Sequence, residues 1–274
     1  MRFLLSVFLW LVTLASAWSQ DSFVQLYEGR IKLQLGAQVR FVSHQDAQNP
    51  LTVKLILGER IQTGQSTRAE VILRGGEEII QLRAGSLFTV NEVNEVETKL
   101  AIPIGKAAFR VDPERRLKRR FEVRTVTAVI GVRGTDFVMG VGDGQTSMLT
   151  LSGTVEMSSS EISVIQVQVN EGQASKIEVG KAPTPPISIP LELQSFITSS
   201  DSAESFQLID FPPAKDLEKA AEELEQQQDS EEANNSGTQT GEVPLDEILK
   251  AVKEAVENTT KDAERIIKLN ISEE

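Results

Sequence analysis

Residues 58–76 read GERIQTGQSTRAEVILRGG, and their pattern decides the fold class. Val71 and Leu73 fall on one side of an extended chain, with Glu70 and Ile72 on the other. Side chains alternate across a strand with a period of two, so this spacing buries one face and leaves the other to solvent. The run stops at Gly75-Gly76, where glycine supplies the positive φ that a tight turn needs. The same unit recurs on both sides. Ile31, Leu33 and Leu35 stop at Gly36, and Val53, Leu55 and Leu57 stop at Gly58. Ile80 and Leu82 end near Gly85, and Leu87 to Val90 follow. Phe109 and Val111 end at Asp112-Pro113, and Phe121, Val123 and Thr125 alternate with charged residues. Met148 to Leu151 ends at Gly153, Ile162 to Val169 stops before Glu171-Gly172, and Ile177 and Val179 close the series at Gly180. Val141-Gly142-Asp143-Gly144 reads as a hairpin turn, because Asp-Gly suits a two-residue loop. Short alternating runs with a turn signal every eight to twelve residues or so predict an all-β domain over residues 23–182, either a β-solenoid or a jelly-roll-like sandwich.

The flanks have a different chemistry. Arg2 precedes an apolar run from Phe3 to Leu14, and Ala15-Ser16-Ala17 follows. That is the layout of a cleavable export signal over residues 1–17, with small residues at the two positions the peptidase reads. The run is shorter than the ~20 residues that span a bilayer. No later segment reaches that length, so no integral membrane segment is expected after cleavage. The chain contains no cysteine, which excludes disulfides, thiol nucleophiles, thiolate metal sites and a lipidated cysteine. Export without cysteine points to the periplasm of a Gram-negative-type bacterium, or to the medium.

Pro183, Pro185 and Pro186 donate no backbone hydrogen bonds and are expected to close the sheet and open a linker over residues 183–213. Beyond Pro212-Pro213 lies an acidic tail, residues 214–274, with helices expected at about 214–228 and 244–269. The polar stretch from Asp229 to Gly241 between them is expected to be disordered. Leu245, Ile248, Leu249, Val252, Val256, Ala263, Ile266 and Ile267 recur at helical spacing. Such a stripe needs a partner: the β domain, a second copy of the chain, or another protein. The tail also carries the acidity. Residues 201–274 hold 20 acidic and 7 basic groups, leaving 21 basic and 20 acidic groups in the other 200 residues, against a formal net charge of −12 overall. A near-neutral body with an acidic tail gives no reason to expect nucleic acid as a partner.

Three segments, in order, resemble the FecR family of periplasmic domains. Gly58-Glu59-Arg60-Ile61-Gln62-Thr63-Gly64, with Ser66 to Leu73 and Gly75, is similar to the family's opening, Glu59 standing where an aspartate is usual. Phe121 to Phe137, which includes Val132-Arg133-Gly134-Thr135-Asp136-Phe137, resembles its core, with Val126 in place of a proline. Thr150-Leu151-Ser152-Gly153-Thr154-Val155 resembles the segment that closes it. The resemblance implies an envelope β domain used for protein or ligand contact. The regulators of that family also carry a cytoplasmic anti-sigma segment and a membrane-spanning helix. Neither is recognised here, so their transmembrane signalling is not carried over.

The motif residues Gly64, Arg133, Gly134, Thr135, Phe137 and Gly153 are expected to be structural. A glycine allows close approach, and phenylalanine fills a core. Arg115, Arg116, Lys118, Arg119 and Arg120 form the densest basic cluster. They are the candidate contact residues, for an envelope protein or an anionic envelope component; the competing reading is a charged strand edge that blocks aggregation. Enzyme chemistry finds little support. His44 is the one histidine, so zinc sites and a Ser-His-Asp triad lack their usual ligands, and no phosphate loop or nucleophile elbow is present. No catalytic residue, metal or cofactor is expected. Asp112, Glu114, Asp136 and Asp143 are carboxylates that a paired-carboxylate glycosidase would use, a pairing that sequence does not reveal. The sequence therefore points to an exported, non-catalytic interaction or scaffolding module. The alternatives are an envelope polysaccharide-binding protein or enzyme, and a soluble accessory of surface signalling.

Overall fold

A computed structural model describes residues 22–113, 119–132 and 134–232 of the chain. The export signal and the second tail helix expected from the sequence lie outside the described residues. Early in the chain run β1 (Phe23–Leu35), β2 (Gln38–His44), β3 (Leu51–Lys54), β4 (Arg60–Thr63), β5 (Arg68–Leu73), β6 (Glu78–Leu82) and β7 (Leu87–Val93). Next come β8 (Glu97–Val111), β9 (Arg120–Arg124), β10 (Ala128–Val132) and β11 (Asp136–Gly142). The last strands are β12 (Gln145–Ser152), β13 (Thr154–Ser159), β14 (Gln166–Asn170), β15 (Gln173–Glu178) and β16 (Ile187–Ser188). Helices α1 (Leu191–Ser199) and α2 (Leu217–Glu232) follow, with a 3-10 helix at Ala203–Leu208 between them.

The strands form two sheets that share β1 and β8. Sheet A runs β3-β1-β5-β6-β8-β11-β12-β15-β16. Sheet B runs β2-β1-β4-β7-β8-β9-β10-β13-β14. One apolar core joins them, with Val71, Leu82 and Phe137 from sheet A and Ile61, Leu100 and Ile130 from sheet B. The fold is a sandwich and not a solenoid. In a solenoid each coil touches only its neighbours, whereas here β8 pairs with β6, β7, β9 and β11.

Both shared strands turn the corner between sheets by the same device. Gly29 in β1 has φ +96° and Gly105 in β8 has φ +108°, conformations that glycine adopts without penalty. A Cβ on Gly29 would stand 2.5 Å from Thr67 Oγ1, and one on Gly105 would stand 2.4 Å from Ser86 Cα. Each hydroxyl then clasps the residue after the glycine. Thr67 Oγ1 accepts from Arg30 N at 3.1 Å and donates to Arg30 O at 3.0 Å. Ser86 Oγ accepts from Lys106 N at 3.0 Å and donates to Lys106 O at 2.9 Å.

Two alternating runs are shorter strands than their pattern suggests. After β3 the chain turns, burying Leu55 and exposing Ile56 and Leu57. Ile162 and Ile165 lie in a turn before β14, closed by Ile165 N donating to Ile162 O at 3.2 Å. They pack there against Ala182 and against Leu217, Ala220 and Ala221 of α2. Burial in a second, smaller core satisfies these side chains without a strand.

The segment expected as a linker behaves differently. Residues from Ile187 to Phe211 lie as a strap across the outer face of sheet A. Ile189, Ile197, Phe206 and Ile209 form an apolar cluster there with Val138, Leu149 and Ala174. The strand pattern makes room for this, since Val138 and Gly140 face away from the main core while Phe137, Met139 and Val141 face into it. A Cβ on Gly140 would stand 2.9 Å from the Phe206 ring, so the absent side chain is what admits the strap.

Candidate interaction site

The basic cluster belongs to the connection between β8 and β9. These strands are parallel, with Glu97 opposite Arg120 and Ala101 opposite Arg124. A parallel neighbour needs a crossover, because the chain must return to the start of the strand it has left. The return is short because β8 itself folds back. Glu78 pairs with Val111 at one end of β8, and its carboxylate accepts from Thr98 Oγ1 at 3.0 Å at the other.

Beside the described ends of this crossover lies a buried polar group. Arg74 has φ +52°, and its guanidinium sits 3.5 Å from Glu78 Oε1 and donates to Thr98 Oγ1 at 3.4 Å. Burial dominates both partners, pushing the Glu78 carboxyl up and the Arg74 guanidinium down. The Thr98 hydrogen bond and Arg74 oppose that shift on Glu78, and Glu78 opposes it on Arg74. Both ends of the crossover hang on the neighbouring Glu77. Asp112 N donates to Glu77 O at 2.9 Å, and Arg119 Nη1 donates to Glu77 Oε2 at 2.7 Å. Arg119 Nε also donates to Glu95 O at 3.2 Å.

Arg119 is therefore held as an anchor of the crossover. Arg120 opens β9 on the exposed rim, where its backbone donates to Val96 O at 2.9 Å. Arg115, Arg116 and Lys118 lie outside the described residues. Close by, exposed Arg110 pairs with Asp136 at 3.9 Å, and at the far end of β9 exposed Arg124 pairs with the largely covered Glu122 at 2.6 Å. Exposed pairs of this kind contribute little to stability and leave the side chains available to a partner.

The motif residues meet elsewhere. Thr135 is buried and donates to Thr154 O at 3.1 Å. A Cβ on Gly153 would stand 3.2 Å from both Gly134 O and Thr135 Oγ1, so the turn before β11 rests directly on the turn before β13. Phe137 is fully buried and stacks on Phe109 with centroids 4.4 Å apart, and Phe121 meets the same ring edge-on at 6.2 Å. Gly64 N donates to Arg30 O at 2.8 Å, beside a cleft of about 400 Å³ that Arg30, Ser43, Gln65 and Ser66 also line. Arg133 lies outside the described residues. Asp136 and Asp143 fall at opposite ends of β11. At ~3.4 Å per residue that separation far exceeds the spacing of a glycosidase pair. His44 Nε2 lies 2.8 Å from Asn49 O and staples its own loop. Among the described residues no group of three or more His, Asp or Glu is placed to hold a metal ion.

Sequence reasoning missed the strap anchors. Lys106 is buried in β8, and its Nζ donates to Ile197 O, to Ser200 O at 2.8 Å and to Ser205 Oγ at 2.9 Å. Arg83 donates to Thr198 O at 3.1 Å and pairs with Asp201 at 3.4 Å. Two cations thus sit at the C-terminal end of α1, where its dipole is negative. Burial, helped by the neighbouring Arg83 and opposed by Asp201, lowers the Lys106 ammonium to about 8. A glycine in mid-strand, Gly140, was the one sequence signal of a close approach.

A two-sheet β sandwich with shared corner strands, its motif turns packed against each other, defines an all-β domain. Residues 59–156 match the family described as FecR protein. Two crystal structures of a candidate anti-sigma factor from Parabacteroides distasonis are similar, with 18% identity and TM-scores of 0.43 and 0.42. Each overlap covers 50% of this chain and 62% of the other, so the chain spans less than two thirds of those structures. A search of curated proteins finds no match. No helix among the described residues is long and apolar enough to cross a membrane.

Proposed function

We propose that this chain is an exported, non-catalytic interaction module of the bacterial cell envelope, with its FecR domain as the contact surface and the periplasm as its place of action. The export signal read in residues 1–17 and the family match over residues 59–156 support the compartment. The observation that carries the reading is the anchoring of the β8–β9 crossover on Glu77 at both ends. A connection whose sequence holds Arg115, Arg116 and Lys118 starts and finishes on one residue of the rim, with Arg120 beside it. The partner is an anionic envelope component or the acidic surface of an envelope protein.

The test is a pull-down from envelope extract with the full chain, run beside Arg115→Glu/Arg116→Glu/Arg120→Glu. A partner retained by the parent and released by the variant supports the reading. A partner kept equally by both moves the contact away from this rim. Any truncation used to test the tail must end after α2, because ending at Pro186 would strip Ile189, Ile197 and Phe206 from the outer face of sheet A.

A further inference from the structure

The two outer faces of the sandwich carry surfaces that complement each other. On sheet B the register sets Phe41 beside Lys32 and Gln62, and Val39 beside Gln34 and Arg60. Ile31 and Leu33 of the same strand are in the core, so Lys32, Gln34 and their cross-strand neighbours project outward. Phe41 is 69% exposed and Val39 is 45% exposed. Residues 29–45 contain Arg30, Lys32 and Arg40 and no carboxylate. Arg40 is taken by Glu59 at 2.8 Å, but Lys32 and Arg60 make no ion pair among the described residues. The face is apolar and cationic.

The strap on sheet A is the reverse. Residues 182–214 contain Glu192, Asp201, Glu204 and Asp210 and no lysine or arginine. Helix α1 turns Ile197 inward and leaves Leu191 74% and Phe196 51% exposed, with Glu192 between them on the outer side. The 3-10 helix buries Phe206 and leaves Glu204 and Leu208 outside, Leu208 being 61% exposed. Large apolar side chains beside charges of one sign, twice over and with opposite signs, are the composition of two halves of one interface.

We propose that the chain associates with further copies of itself head to tail, the β2–β1–β4 face of one copy seating on the α1 strap of the next. Phe41 and Val39 meet Leu191, Phe196 and Leu208, while Lys32 and Arg60 face Glu192 and Glu204. The two surfaces lie on opposite sheets of one sandwich, so two copies cannot satisfy each other twice. The contact is heterologous, and it propagates into a ring or an open chain. The proposal is independent of the β8–β9 rim, which it leaves exposed on every copy.

The experiment is sedimentation velocity of the full chain over a concentration series at low and high salt. The expected result is an average mass that rises with concentration and rises less at high salt, where charge pairing is screened. Lys32→Glu/Arg60→Glu has two anionic surfaces and Glu192→Lys/Glu204→Lys has two cationic ones, so each alone is expected to stay monomeric. Their equimolar mixture is expected to associate again, because each supplies the surface the other has lost. Circular dichroism and melting of each variant report that the surface changes leave the fold intact. A parent protein that is monomeric throughout overturns the proposal. So does association that both charge reversals leave untouched, or a mixture that stays monomeric. Loss on removing residues 233–274 with silent reversals would assign self-association to the tail. A monomeric parent whose Lys32→Glu/Arg60→Glu variant loses only its binding to phosphatidylglycerol vesicles would assign the sheet B face to lipid.

Discussion

The Lys106 ammonium donates to the Ser205 hydroxyl at 2.9 Å across 99 residues of chain. Its two other acceptors, Ile197 O and Ser200 O, belong to the same strap. One buried side chain thus holds the C-terminal end of α1, the following turn and the 3-10 helix onto β8. Two of these acceptors, Ile197 O and Ser205 Oγ, are buried and lose this donor if the lysine is replaced.

Lys106→Met keeps most of the volume and removes all three donors. A buried acceptor left without a donor costs about 1–3 kcal/mol, and the strap can relax to reduce that cost. The expected loss is about 2–4 kcal/mol of unfolding free energy, with faster amide exchange confined mainly to residues 191–209. Uniformly faster exchange across both sheets would show that Lys106 supports the main core instead.

The same group sets a pH dependence. Its ammonium is lowered to about 8 by burial, below the ordinary lysine range that the unfolded chain keeps. Between those limits the unfolded state binds the proton that the folded state has released. Stability therefore rises with pH from about 8 into the ordinary lysine range, with a slope of at most about 1.4 kcal/mol per pH unit. Chemical denaturation at a series of pH values reads this slope, and Lys106→Met is expected to flatten it.

Gly140→Ala brings a methyl group within 2.9 Å of the Phe206 ring and 3.1 Å of Ala203 Cβ. Overpacking of this kind costs about 1–3 kcal/mol. Phe206→Ala alone is also destabilising, since it empties part of the strap cluster. The double variant is expected to lose less than the sum of the two, because removing the ring removes the clash. Strict additivity in denaturant titrations would mean that the glycine and the ring are not in contact.

Two phenylalanines give opposite outcomes. Phe137 is fully buried in a stack with Phe109, and Phe137→Ala is expected to cost about 3–5 kcal/mol. Phe41 stands on an outer face, and Phe41→Ser is expected to shift stability by no more than about 0.5 kcal/mol while weakening self-association. Thermal melts beside sedimentation separate the two effects.

Much of the sheet was legible because strand signals are local. Alternation in Arg68 to Leu73 needs only neighbouring residues to be read, and it became β5. The Asp143-Gly144 turn, with both residues at positive φ, joins β11 to β12 as its sequence indicates. The run Ile162–Ile165 failed the same test because its side chains are buried by α2, which begins more than fifty residues further on. The family motif was readable as a string, but the contact of Gly153 with Gly134 and Thr135 was not, since nothing local says which turns will touch.

By itself the sequence determined that this chain is built of short strands, because period-two burial and glycine turns are properties of a few adjacent residues. Only the tertiary structure decided that the strands close into a sandwich, since that depends on β1 and β8 turning corners at Gly29 and Gly105 to pair with partners on both sheets. It alone decided that a proline-rich stretch is a strap and not a linker, because the force that holds it is burial of Ile197 and Phe206 against strands far away in sequence, completed by a lysine that no local pattern marks. It also gave Arg119, one of five similar basic residues, a structural duty by placing Glu77 within 2.7 Å of it.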